Sequence, residues 1–291
     1  MKIMKNNIRA ILVAGLAKAL GVPVNIGQPI GLPDNLFLVR HGESEGNVAV
    51  HLSKHGDNSA FNEDFLDRHS KTWKLTDKGI EQAKQAGQWL IANDHATFDH
   101  YYVSSYDRAK MTAAYLGLPD ARWHRPKVNL RERDRGRLDV TSFQELHDNH
   151  PEVIKGEEQE AYLFRFPGGE SLADVELRAR HMFRTLEREA PGQNAIIVSH
   201  GEVMWCLRML LEGFSLSEFM ALNSSRSDFD RIHNCQILHY SRIDHVTGEK
   251  RGYYVSKRSI CPWDMTKSSN IWTHVTREKY TNDALLATVT A

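Results

Sequence analysis

Hydrophobic positions along this chain follow two rhythms. Short unbroken apolar runs alternate with longer segments in which apolar residues recur every three or four positions. "LFLV", Leu36 to Val39, predicts a buried strand. Thr76 reads as a helix N-cap, with Ile80, Ala83, Gly87, Leu90 and Ile91 following on one face. "HYYVSS", ending at Ser105, predicts a second strand, and Asp107 to Leu116 a helix with Ala109, Thr112, Ala113 and Leu116 inward. A long helix begins near Ser171 and carries Leu172, Val175, Ala179, Met182, Phe183 and Leu186. "AIIVS", Ala195 to Ser199, predicts a third strand, and Val203 to Leu211 a largely buried helix. "CQILHYS", Cys235 to Ser241, predicts a later strand paired with Gly252 to Ser256 across the "VTGEK" turn.

Strands alternating with helices predict an α/β fold: a three-layer α/β/α sandwich around a mixed, mainly parallel central sheet. Residues 35–242 form the expected catalytic domain, 1–34 an N-terminal helix and linker, and 243–291 a strand-and-helix extension packed on the same domain. In the N-terminal part, Ile8, Ile11, Leu12, Leu16 and Leu20 fit one face of a short helix expected to dock. An export signal and a partner-binding arm are the weaker readings of that stretch. Lys18 interrupts its apolar run, which is too short to span a bilayer. Two polar stretches, Asn47 to Lys74 and Asp139 to Gly169, read as long loops that serve as lids or binding segments.

Charge narrows the partners. The chain carries 37 Lys and Arg against 37 Asp and Glu, so nothing drives it toward nucleic acid or an anionic membrane. A local cationic pocket is still allowed. Cys206, Cys235 and Cys261 are far apart and show neither disulfide nor zinc spacing, which fits a reducing cytoplasm. His51 and His55 have a metal-compatible spacing, but no third ligand accompanies them.

Candidate chemistry gathers at the strand ends. "NLFLVRHGE" and "NAIIVSHGE" share an asparagine, an apolar run, one polar residue and then His-Gly-Glu. Ligands of open α/β sheets bind outside the carboxyl ends of strands, so His41 and His200 are expected at one site. Gly42 and Gly201 are expected to let backbone N–H groups approach a ligand with no Cβ in the way. Arg40 precedes His41, and Arg108 stands in the first turn of the helix after the second strand. Two guanidinium groups beside two imidazoles make a poor core and a good anion pocket, and a phosphate dianion relieves the repulsion.

"LVRHGESEGN", "LTDKGIEQA", "SSYDRAKMTA", "LRERDRG", "PGGES" and "IVSHGE" resemble, in order, the motifs of the histidine phosphatase superfamily, the phosphoglycerate mutase-like proteins. The resemblance covers about Asn35 to Tyr240. It implies a phosphohistidine mechanism without cofactor or metal, with His41 as nucleophile, Arg40, Asn47, Arg108 and His200 as the phosphate pocket, and Glu132 as proton donor. A neutral imidazole, with its reference pKa of about 6.5, can attack phosphorus without a base. Glu132 has to be protonated to donate; neighbouring arginines lower its pKa and an arriving phosphate raises it, so the substrate is expected to decide the contest. Arg133, in the alternating run Arg131 to Arg137, is a candidate contact for a second anionic group on the substrate, although pairing with nearby carboxylates is the commoner fate of such a run.

Departures from the family patterns bear on the reaction. Glycolytic mutases typically carry a tryptophan where this chain has Gly46. "YLFRFPGGESLADVELRAR" is similar to the corresponding part of the fructose-2,6-bisphosphatases, yet Gly168 replaces a lysine usual there. The expected activity is phosphomonoester hydrolysis of a phosphorylated small molecule or phosphoprotein. Mutase-type transfer and non-catalytic phospho-ligand binding are the alternatives, and a homodimer is left open.

Overall fold

The computed structural model describes residues 31–225 and 227–289; the proposed N-terminal helix lies outside them. Six strands form one sheet in the order β2-β3-β1-β4-β5-β6: β1 Asn35–Arg40, β2 His100–Val103, β3 Asn194–Ser199, β4 Ile237–Ser241, β5 Ser256–Ile260 and β6 Thr273–His274. The sheet is mixed, as expected, with parallel pairing confined to β2, β3 and β1 and antiparallel pairing through β4, β5 and β6.

The helices are α1 Glu45–Lys54, α2 Glu63–Leu66, α3 Asp77–Ala92, α4 Asp107–Tyr115 and α5 Phe143–Asn149. They continue with α6 Pro151–Glu160, α7 Leu172–Glu189, α8 Gly201–Glu212, α9 Leu216–Ser224 and α10 Asn282–Ala287. Side chains alternate across the strands and so build two cores. Leu36, Leu38, Ile197, Leu238 and Tyr240 pack on α7 and α8 through Val175, Ala179, Met182 and Leu207. Phe37, Val39, Ile196, Val198 and Ile237 pack on α3 and α4 through Ala83, Leu90, Ala109 and Ala113. Among the described residues no helix is long and apolar enough to cross a membrane.

Local signals placed most of these elements. Thr76 caps α3 by accepting from Gly79 N, and Ser171 forms a capping box with Asp174 at the start of α7. The inward face of α3 holds Ala83, Gly87 and Leu90 as expected and adds Gln82 and Ala86, whereas Ile91 is 44% exposed. A Cβ at Gly87 would lie 1.7 Å from the carbonyl oxygen of Leu116, so α3 packs glycine-first on the end of α4.

Two expectations need correction. The partner of β4 is Ser256–Ile260, with Ser241 opposite Ser256 and Ile237 opposite Ile260. The "VTGEK" turn is closed by a bridge between Ile243 and Lys250, but the aromatic stretch after it does not pair, and Tyr254 turns into the core instead. Lys257 and Arg258 hid the true strand, because its partly exposed centre carries charge. The two polar stretches are also not loops. They contain α1 and α2, then α5 and α6, started by Ser44, Asn62, Ser142 and a proline at the first position of α6. In α5 no residue is buried and in α6 only Val153 is, so neither could show an apolar stripe.

Candidate active site

β1 and β3 lie side by side in parallel, with Asn35 opposite Asn194 and each later pair in step up to Arg40 opposite Ser199. The two similar segments therefore end at the same height. Beyond them the rings of His41 and His200 stand 5.1 Å apart, centroid to centroid, edge to face. β2 delivers Ser104 to the same end, and α4 delivers Arg108.

His41 is 2% exposed, and its Nδ1 lies 2.7 Å from the carbonyl oxygen of Gly42. A carbonyl only accepts, so Nδ1 carries the proton and the Nε2 lone pair is left over. Arg108 Nε donates to that Nε2 at 3.2 Å. Arg108 itself is buried, donates from Nη1 to the Ser70 carbonyl and lies over the Tyr106 ring. Arg40 donates from Nη1 to the Ile232 carbonyl at 2.6 Å. Fully buried His200 keeps Nε2 at 2.7 Å from Ser104 Oγ. Arg40 Nε and His200 Nδ1 are buried with no hydrogen-bond partner among the described residues.

Electrostatics follow from that crowding. Burial, then Arg108 and Arg40, hold the His41 pKa well below the ordinary histidine value. Burial, Arg108 and His41 do the same to His200. Both imidazoles are accordingly neutral at pH 7, and His41 presents an unprotonated Nε2, held by the Arg108 Nε–H, among cations.

Asn47 sits one turn into α1, where its Oδ1 accepts from Ser44 N at 3.2 Å in the capping box. Asn234 Nδ2 donates to the same Oδ1 at 3.1 Å and to the His41 carbonyl at 3.0 Å. The oxygen is thus held by protein donors, and the amide N–H groups are the atoms Asn47 has to offer a ligand. Asn234 had no signal of its own in the sequence, since a single asparagine before a strand reads as a turn residue.

Glu132 is half-buried and its Oε1 accepts from Arg133 N at 3.1 Å. Burial and then the Glu202 carboxylate raise its pKa, against the opposing pull of Arg108 and Arg40. Burial and Glu202 thus outweigh the arginines and shift Glu132 toward its protonated form. Arg178 supports this segment by donating to the carbonyls of Asn129, Arg131 and Glu132, while Glu170 binds Arg131, Arg178 and the Asp134 N–H. Neither hub stood out in the sequence; both lie in the "PGGES" motif and the helix after it.

Arg133 is 3% exposed and spends its donors on protein: Nε on the Glu170 carbonyl, Nη1 on Glu157 and Glu202, and Nη2 on the Phe164 carbonyl. It lies in the pocket wall, but as a clamp between segments.

The twin glycines differ. A Cβ on Gly42 would lie 2.3 Å from the Gly79 carbonyl oxygen, and Gly42 N donates to Thr112 Oγ1. Gly42 is thus required by the close approach of α3, not by a ligand, contrary to expectation. A Cβ on Gly201 would meet Arg40 Nε at an ordinary 3.5 Å, so only this glycine faces the pocket. At Gly46 a Cβ would collide with the Trp73 ring at 2.1 Å. The indole of Trp73 fills the space over Gly46, and it stacks on Phe65.

These residues border a cavity of about 370 Å³ whose lining includes Arg40, His41, Asn47, Arg108, Glu132 and Gly201. His200 lies behind this lining, in ring contact with His41. Charge, neutral imidazoles and a half-buried acid converge where a phosphoryl group would find donors on several sides.

Comparison with known proteins agrees. The chain is 31% identical over 175 residues to human 6-phosphofructo-2-kinase/fructose-2,6-bisphosphatase 4, covering 60% of this chain but only 32% of that protein. It is 31% identical over 218 residues to a phosphoglycerate mutase-like protein of Arabidopsis thaliana, covering 69% of this chain and 65% of the relative. Among solved structures, mycobacterial glucosyl-3-phosphoglycerate phosphatase with VO3 superimposes with a TM-score of 0.56 at 21% identity, covering 72% of this chain and 92% of that one. The alpha-ribazole phosphatase of Shigella flexneri gives a TM-score of 0.55 at 24% identity, covering 75% and 95%. The pattern of the histidine phosphatase superfamily, branch 1, matches residues 36–233, which hold both His-Gly strand ends, Arg108 and Glu132; the chain belongs to that superfamily.

Proposed function

We propose that the protein hydrolyses phosphomonoesters through a phosphohistidine on His41. His41 Nε2 attacks phosphorus in line, the ester oxygen leaves, and Glu132 gives it a proton. Water then attacks the phosphohistidine while Glu132 takes up its proton, releasing inorganic phosphate and free His41. Arg40, Arg108, His200 and the Asn47 amide hold the phosphoryl oxygens throughout.

One observation carries the reading: buried Arg40 Nε and His200 Nδ1 lack partners beside a histidine whose Nε2 is unprotonated. Buried unpaired polar atoms are costly; a phosphoryl group supplies an acceptor for Arg40 Nε and, with Ser104 Oγ donating to Nε2, for a proton on His200 Nδ1. The names of the solved neighbours, which are phosphatases, support the same chemistry.

The test is to mix the protein with a labelled aryl phosphate and quench in base. The expected result is acid-labile phosphate on the wild type, none on His41→Ala, and steady release of the phenol. Wild type that neither traps phosphate nor turns over would leave a binding protein. Turnover of 3-phosphoglycerate only when primed with 2,3-bisphosphoglycerate would replace hydrolysis by transfer.

A further inference from the structure

The cavity at His41 does not end there. A second cavity of about 260 Å³ shares Arg133, Glu202, Trp205 and Asn223 with it, so the two form one cleft. Past the shared wall the floor is apolar, made by Ile154, Leu172 and Phe219. Trp205 is held edge to face against Phe219 at 5.9 Å, with the Arg208 guanidinium over it at 4.5 Å. The rim of this second chamber carries Glu157 and Glu158.

Charge differs between the chambers. The first gathers Arg40 and Arg108 around His41. Among the described residues the only cation on the lining of the second is Arg133, and its Nη1 is committed to both Glu157 and Glu202. Arg135, on the border of the first chamber, stands 3.9 Å from Glu202. On that lining a second phosphate or carboxylate on the substrate would meet Glu157, Glu158 and Glu202 and, among the described residues, no uncommitted cation. Discrimination of this kind comes from repulsion as much as from attraction.

We propose that the site selects phosphomonoesters with a bulky, partly apolar alcohol whose far end is neutral or cationic, and rejects those with a second anionic group. The inference rests on the phosphatase reading and deepens it. The apolar floor takes the body of the leaving group, and Glu157 and Glu158 face its far end.

Three aryl phosphates that differ only at the para position test it: aminomethyl (cationic), hydroxymethyl (neutral) and carboxyl (anionic). In the wild type kcat/KM is expected to be at least about tenfold higher for the cationic than for the anionic ester, with the neutral one between. Glu158→Gln should narrow that ratio about threefold, by lowering kcat/KM for the cationic ester and raising it for the anionic one. Calorimetric binding of the same esters to His41→Ala should follow the same order, so the inference is readable without catalysis. Equal or better handling of the carboxyl ester, in turnover or in binding, overturns the inference while leaving the phosphatase reading intact. Ordered binding without any turnover by the wild type overturns the phosphatase reading alone. Failure of all three esters to bind removes both.

Discussion

Two regions of this molecule bury histidines beside an arginine, and only one of them is built for a ligand. At the carboxyl ends of β1 and β3 stand His41, His200, Arg40 and Arg108, with two buried nitrogens lacking partners among the described residues. Against Phe37, toward the start of β1, His239 and His95 meet Arg258. There Arg258 Nε donates to His239 Nδ1 at 3.2 Å, its Nη2 reaches His95 Nε2 at 3.1 Å, and His239 Nε2 reaches Asn35 Oδ1 at 3.1 Å. Trp89 and Trp272 flank the guanidinium. Residue type is alike in the two places, and His239 is buried like His41 and His200, whereas His95 and Arg258 are half-buried. What separates them is satisfaction: the second cluster closes on itself, and the first leaves polar nitrogens open beside a cavity.

The largest effect that tests this contrast belongs to His41. His41→Ala is expected to lower kcat by about 10⁴-fold or more, measured on an aryl phosphate, with the fold retained by circular dichroism. His239→Phe, at the closed cluster, should leave kcat/KM within about twofold. Glu132→Gln comes next, with a loss of about 10²–10³-fold for esters with poor leaving groups and much less for activated ones. The proposed mechanism needs protonated Glu132 beside neutral His41, and burial with Glu202 shifts Glu132 toward its protonated form while the His41 pKa is depressed. Activity should therefore peak on the acidic side of neutrality and fall as pH rises through the Glu132 value. A flat profile from about pH 5 to 9 would remove Glu132 from its role.

The twin glycines sharpen the contrast between chemistry and packing. Gly42→Ala should destabilise the protein by roughly 2–4 kcal/mol in urea, since a backbone carbonyl has to move. Gly201→Ala should cost less than about 1 kcal/mol, because its Cβ meets only ordinary contact.

The smallest effect concerns pH and stability. Burial, first, and then Arg258 depress both His239 and His95 in the folded protein. A depressed folded value means the unfolded chain takes up the proton first. The contribution is thus fully present above about pH 6.5 and is lost as pH falls below it, at up to about 1.4 kcal/mol per pH unit for each histidine. His41 and His200 act with the same sign, so the separation comes from variants. Thermal melts from pH 7 to 5 should show a shallower fall for His239→Phe than for the wild type.

The sequence made the site more legible than its surroundings. Arg40, His41, Arg108 and His200 could be found because two strand ends repeat one pattern, and the sheet places those ends side by side in register. The walls were not legible. α5 and α6 are polar around nearly their whole circumference, and a helix without a buried stripe looks like a loop. Asn234, Glu170 and Arg178 act through hydrogen bonds to residues elsewhere in the sequence, which no local periodicity records. The purpose of Gly42 was misread for a related reason: its constraint comes from Gly79 on another element, and only the folded chain brings them together.

Asn234 has one more consequence, for the order of assembly. It fastens the His41 carbonyl from 193 positions away, and β1 lies between β3 and β4, both formed by much later residues. A chain emerging from the ribosome exposes the nucleophilic segment long before either flanking strand exists. Contacts of such sequence separation form slowly, after distant loops close. From His41 to Asn234 the nascent protein therefore carries His41 unplaced, and the arrangement around it is completed only when the strand after Asn234 docks.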